Sequence, residues 1–130
     1  MRYSLITAIL ASLFLVACSD RSPEERRAAL HLPPPGFKGD AVQGRALFTQ
    51  HCAVCHGRAG TGTDQGPPLV HAIYKPAHHA DLAFQLAMKN GVKAHHWQFG
   101  DMKPQPDITP EMTAHIIAYV RQEQRKANIQ

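Results

Sequence analysis

The chain has 130 residues, three cysteines, nine histidines and a formal net charge of +4. Its length leaves room for one small domain and excludes barrel and doubly wound architectures. Fourteen basic side chains against ten acidic ones, spread along the chain, are no nucleic-acid footprint, and one Trp, three Tyr and five Phe make a thin core of the kind that a disulfide, metal or cofactor completes.

In chain order, the first element is a leader. Arg2 supplies a positive head, and Leu5–Ala17 is a largely apolar run. A membrane span takes about 20 residues, so this run has the length of a signal core. Leu15-Val16-Ala17-Cys18 resembles the lipobox of bacterial lipoproteins, in which the cysteine receives a diacylglyceryl thioether and the leader is cut before it. The resemblance implies a signal peptide over residues 1–17, lipidation at Cys18, and a periplasm-facing domain anchored to a membrane of the cell envelope. Ser19 then favours the outer membrane and Asp20 argues against it. An ordinary secretory signal with an incidental cysteine is the alternative.

Residues 18–38 read as a lipid-anchored tether. Ser22-Pro23-Glu24-Glu25 has the capping-box pattern and predicts a short helix through Leu30. Pro33-Pro34-Pro35-Gly36 predicts a stiff, extended spacer. The folded domain is expected over residues 39–130.

Asp40 is the expected N-cap of the first core helix, with Gln43 in the reciprocal position. Gly44, Leu47, Phe48 and His51 share one face of it. The helix leads into Cys52-Ala53-Val54-Cys55-His56, the spacing of a c-type haem attachment site. Two cysteines three apart at a helix end reach two vinyl groups on one porphyrin edge, and the adjacent histidine faces the iron. Half a zinc site is a competing reading, but no second cysteine pair completes it. A thioredoxin-like motif would follow a strand. A structural disulfide across this short loop is a further alternative.

Downstream, Asp81 is expected to cap a middle helix, Leu82–Asn90, stopped by Gly91. Thr109 and Pro110 start the last helix, with Met112, Ile116, Tyr119 and Val120 as its apolar stripe. Met88 and Met112 fall inside helices and read as core, whereas Met102 lies in a loop. His51 is expected to be half exposed and His115 to lie at a helix rim; His71, His78 and His79 are expected to be solvated. His95-His96-Trp97 leaves several readings open. They are solvated loop residues or ones contacting a haem propionate, with Trp97 donating its indole N–H; a copper site of His95, His96 and His78 or His79; or a histidine in place of methionine on the iron.

These residues resemble those of class I cytochrome c over about Asp40–Arg121. The resemblance implies an all-α fold, with N- and C-terminal helices crossed around one covalent haem c. Gly44, Phe48, Ile116 and Tyr119 match the family's crossing positions. Gly66-Pro67-Pro68-Leu69 resembles its Gly-Pro-x-Leu loop, in which the Pro67 carbonyl would orient His56 and Leu69 would pack on the haem. Met102 stands at the family's spacing from Tyr119, which implies His56 and Met102 as axial iron ligands.

A closed six-coordinate iron implies an electron carrier rather than an enzyme, passing single electrons between redox protein partners as a monomer. Lys75, Lys89, Lys93 and Lys103 are candidates for a basic frame around the haem edge. The alternatives are a haem-based ligand sensor with a labile Met102 and a copper-handling protein using the His95-His96 loop.

Overall fold

The computed structural model describes residues 21–130. The leader and Cys18 lie outside the described residues. Among the described residues the fold has five α-helices and one 3₁₀ turn, and no strand. A single antiparallel bridge joins Val92 and Met102.

Helix α1, Pro23–Ala29, forms as its capping box predicts. The Glu25 N–H donates to the Ser22 hydroxyl, and the Ser22 N–H donates to the Glu25 carboxylate. The spacer that follows is not extended. His31 takes a positive φ, a turn closes with the Phe37 N–H on the Pro34 carbonyl, and the segment lies against the domain. The Lys89 ammonium donates to the Ala28 and Ala29 carbonyls at 2.8 Å each. The Thr113 hydroxyl donates to Thr109 and accepts from His31 Nε2 at 3.3 Å. Phe37 meets His115 edge-on. The α1 C-terminal carbonyls need donors, and the lysine on the neighbouring helix supplies them.

Helix α2, Ala41–His51, starts as expected, with the Gln43 N–H on the Asp40 carboxylate at 2.8 Å. The reciprocal partner differs. The Asp40 N–H donates to His115 Nδ1 at 2.8 Å, so the C-terminal helix completes this cap and Gln43 does not. The helix runs up to the attachment motif, as expected. Cys52 has φ −118° and closes α2, and a single turn, α3, runs from Ala53 to His56.

Helix α4 spans Asp81–Asn90, with Ala80 as its N-cap and no side-chain cap bond. Asp81 is therefore its first helical residue and not its cap. Its carboxylate is taken by the Arg121 guanidinium at 2.8 Å, a stronger partner than a backbone N–H. Helix α5, Pro110–Lys126, begins as read, with the Met112 N–H on the Thr109 hydroxyl.

The core is the crossing of α2 and α5. A Cβ at Gly44 would fall on the His115 carbonyl, so only glycine permits this approach. Phe48 is fully buried, its ring 5.3 Å from that of Tyr119, with Ile116, Ile117 and Val120 closing around it. The mostly helical chain with crossed terminal helices is the fold expected from the sequence.

Candidate functional site

Helices α2, α3, α4 and α5 and two loops enclose a cavity of about 630 Å³. That volume is in the range of sites that take one sizeable organic group, about 300–1,000 Å³. Its walls are largely apolar, with Leu69, Phe84, Met88, Ile108 and Ile116 among them, and Cys52, Cys55, His56 and Met102 all line it. Met88 thus serves as core and as cavity wall, while Met112 packs on the core as expected.

The backbone at the attachment motif follows from three glycines. Gly57 and Gly62 take φ of +76° and +84°, values that side chains resist. The Gly62 N–H returns to the His56 carbonyl at 2.7 Å, and the Thr63 hydroxyl donates to the Cys55 carbonyl at 2.6 Å. Gly66 packs so closely on Cys55 that an added Cβ would meet the Cys55 carbonyl oxygen at 2.9 Å. This close approach lays Pro67 beside His56. The His56 Nδ1–H donates to the Pro67 carbonyl at 2.8 Å, which leaves Nε2 unprotonated in the neutral ring. Burial holds the His56 pKa below its usual value, with the Pro67 bond opposing that shift. Burial, and then the neighbouring Cys55, push the Cys52 thiol up to about 11. Cys52 is therefore a protonated thiol at neutral pH, and no disulfide joins it to Cys55.

Met102 closes a loop that begins at Val92. The two residues exchange both backbone hydrogen bonds at 2.9 Å. Asp101 staples the loop, accepting from the Ala94 N–H at 2.9 Å and the Lys93 ammonium at 2.7 Å. The loop carries Trp97, whose indole nitrogen is buried without a hydrogen-bond partner, although the Tyr74 hydroxyl is near. A buried, unpartnered donor on a cavity wall is the observation that most directly calls for an acceptor.

The histidines divide differently from the sequence expectation. His51 is half-buried, as expected. His71 and His79 are not simply solvated: His71 Nδ1 accepts from the Ile73 N–H and caps the 3₁₀ turn Ala72–Tyr74, and the His79 Nδ1–H donates to the Ile73 carbonyl. His78, His95 and His96 are exposed. The basic frame is not assembled. Lys89 is engaged by α1, Lys93 is paired with Asp101, and of the four lysines only Lys103 lines the cavity.

Two residues essential to the site's geometry were not singled out in the sequence. Arg121 and Gln124 of α5 are buried. The Arg121 guanidinium reaches the Tyr74 and His79 carbonyls, and the Gln124 amide reaches those of Leu69 at 2.8 Å and Tyr74 at 3.0 Å. Together they bind the loop that carries Leu69 and His79 to the last helix. Their signal was periodic: they continue the buried face of Thr113 and Ile117.

The residues present fit a covalently held haem. Two thiols three apart open on an apolar cavity with an imidazole, a thioether and an orphaned indole N–H. A search of curated proteins by sequence returns no match. By structure, the chain is similar to cytochrome cL from the marine methylotrophic bacterium Methylophaga aminisulfidivorans, at 21% identity and a TM-score of 0.51, over 87% of this chain and 84% of that one. The cytochrome c family model matches residues 41–124, which hold the attachment motif and both crossing helices. The chain therefore belongs to the cytochrome c family, whose members bind haem c covalently and work in electron transfer.

Proposed function

We propose that the protein is a monohaem electron carrier tethered to a membrane of the bacterial cell envelope. Cys52 and Cys55 would hold one haem through thioethers, His56 and Met102 would ligate its iron, Leu69 would pack against it, and Trp97 would donate to a propionate. When bound, the haem iron supplies one-electron chemistry, and methionine ligation favours its reduced state.

The observation that carries this reading is the His56–Pro67 hydrogen bond at 2.8 Å. It fixes the tautomer that ligation needs, in a cavity that Met102 also lines. The bridge to Val92 restrains the Met102 backbone, which favours a closed iron site over a sensor with a labile ligand. A closed site offers no position for substrate, so the protein acts as a carrier and not as an enzyme. The chain's own residues exclude water through the apolar walls, and reduction and oxidation proceed through the exposed cavity mouth.

Docking of redox partners at that mouth is weak and transient. Phe99, which is 40% exposed, and Lys103 both line the cavity. With Lys93 paired and Lys89 engaged elsewhere, electron transfer has a shallow dependence on ionic strength. Tethering rests on the Leu15–Cys18 sequence, and the domain works as a monomer. No described helix is long and apolar enough to cross a membrane.

The test is an absorption and redox titration of the exported protein. A chromophore that survives denaturation and a weak near-infrared methionine-to-iron band, lost in Met102→Ala, are expected. A haem that dissociates on denaturation would overturn the attachment. Rapid CO binding by the reduced protein would favour the sensor.

A further inference from the structure

Histidines that the haem site does not use converge at one end of the cavity. His78 and His79 stand on the loop before α4, and His96 stands on the loop between Val92 and Met102. One ring nitrogen from each lies within 4.8 Å of the others. His95 adds a fourth ring, its centroid 4.3 Å from that of His96 and 6.0 Å from that of His79. These imidazoles come from two separate loops. Any charge on one ring repels charge on the rest.

Two of the rings are oriented by their surroundings. The His79 Nδ1–H is committed to the Ile73 carbonyl at 2.8 Å, and Arg121 holds the His79 carbonyl. The His95 Nδ1–H is committed to the Lys93 carbonyl at 2.7 Å. In each, Nε2 keeps a free lone pair. A hydrogen bond from the far ring nitrogen is how metal-binding histidines are oriented. Partial desolvation, and then the charges of His95, His79 and His78, hold the His96 pKa below its usual value.

We propose that His78, His79 and His96 form a site for a divalent, imidazole-preferring transition-metal ion, copper(II) ahead of zinc(II), with His95 as an adjacent fourth imidazole. Metal–nitrogen bonds of about 2.0–2.1 Å put two nitrogens on one ion at most about 4.2 Å apart. The cluster needs only a small closure to reach that, and the exposed His78 and His96 rings have room to make it. Copper(II) comes first because it binds nitrogen donors most tightly among the first-row divalent ions.

The position gives the site a consequence. His79 and His96 also line the cavity assigned to the haem. A divalent charge there favours an added electron nearby, so metal binding raises the reduction potential. By linkage, reduction tightens metal binding. This coupling rests on the haem reading; the binding itself does not.

The experiment titrates the full-length haem-loaded protein, stripped of free metal by a chelator. Copper(II) chloride and zinc(II) chloride are added in separate calorimetric series, with electron paramagnetic resonance on the copper samples. One equivalent of copper showing nitrogen hyperfine structure is expected, with weaker zinc binding at the same site. His78→Gln and His96→Gln should each weaken binding at least tenfold, and His78→Gln, which lies off the cavity lining, should leave the iron absorption spectrum unchanged, while His31→Gln should bind as the parent does. Absence of stoichiometric binding, several equal sites, or undiminished binding in the His78 and His96 variants would overturn the site. Loss of an iron ligand in His96→Gln, seen as a high-spin ferric spectrum, would overturn it by assigning His96 to the iron. One equivalent of zinc should raise the midpoint potential of the parent and leave that of His96→Gln unmoved. Zinc that binds without moving the potential overturns the coupling alone. A protein that holds no haem leaves the calorimetric arm intact.

Discussion

The two walls of the cavity are built on different principles. The wall at the crossing of α2 and α5 is closed by protein atoms alone: Gly44 admits the His115 backbone, and Phe48 and Tyr119 fill the space between. The opposite wall, the loop from Val92 to Met102, is held by a single bridge and the carboxylate of Asp101. It leaves the Trp97 indole N–H without a partner and His95 and His96 in solvent. The first wall is needed for folding and tolerates no added atom. The second is complete only when something occupies the site. A small domain with a thin core can therefore put its packing into one wall and its ligand chemistry into the other.

The largest expected effect concerns what joins the walls. Cys52→Ser with Cys55→Ser removes covalent attachment and should leave a largely unfolded domain. A cooperative thermal transition followed by circular dichroism in that double variant would show that the helix crossing suffices. Next is Phe48→Ala, which empties a fully buried position and should cost about 3–5 kcal/mol by denaturant titration. Gly44→Ala forces the helices apart and should cost about 1–3 kcal/mol.

On the loop wall, Trp97→Phe should change stability by under about 1 kcal/mol, because the lost N–H makes no protein hydrogen bond. On the proposed haem reading it should instead lower the reduction potential, since a propionate deprived of that donor would keep more negative charge near the iron. A variant that loses stability without a shift in potential would place Trp97 with the packed wall.

The smallest effect is a pH dependence. Hydrogen bonds from Lys93 and then the Ala94 N–H hold the Asp101 carboxyl below its usual value of 3.8. Its folded pKa is depressed, so the contribution of the staple is complete well above pH 3.8. It is lost as pH falls through the lower folded value. Amide hydrogen exchange at Ala94 should report the loss, and Asp101→Asn should abolish that pH dependence.

Features governed by neighbours in the chain were legible in the sequence. The capping box at Ser22, the starts at Asp40 and Thr109-Pro110, and the Cys52–His56 spacing all depend on contacts within one helical turn, and each forms. Asp81 was misread because its partner is Arg121, 40 residues away, and no local pattern contains that residue. The Asp40–His115 bond and the Lys89 contacts to α1 escaped for the same reason.

The sequence by itself determined that the chain has two capped helices able to cross at a glycine, and an attachment motif that suits one cofactor. These follow from helical periodicity, steric size and fixed spacing, which are properties of short segments. Only the tertiary structure decided what the loops do. It turned Arg121 and Gln124 inward as a clamp, left the Trp97 N–H facing no partner, tied down three of the four lysines or set them apart from the cavity, and gathered histidines from two separate loops. Those outcomes depend on which distant backbone groups need donors once the helices have packed. Hydrogen-bond satisfaction in a closed interior is a property of the whole fold.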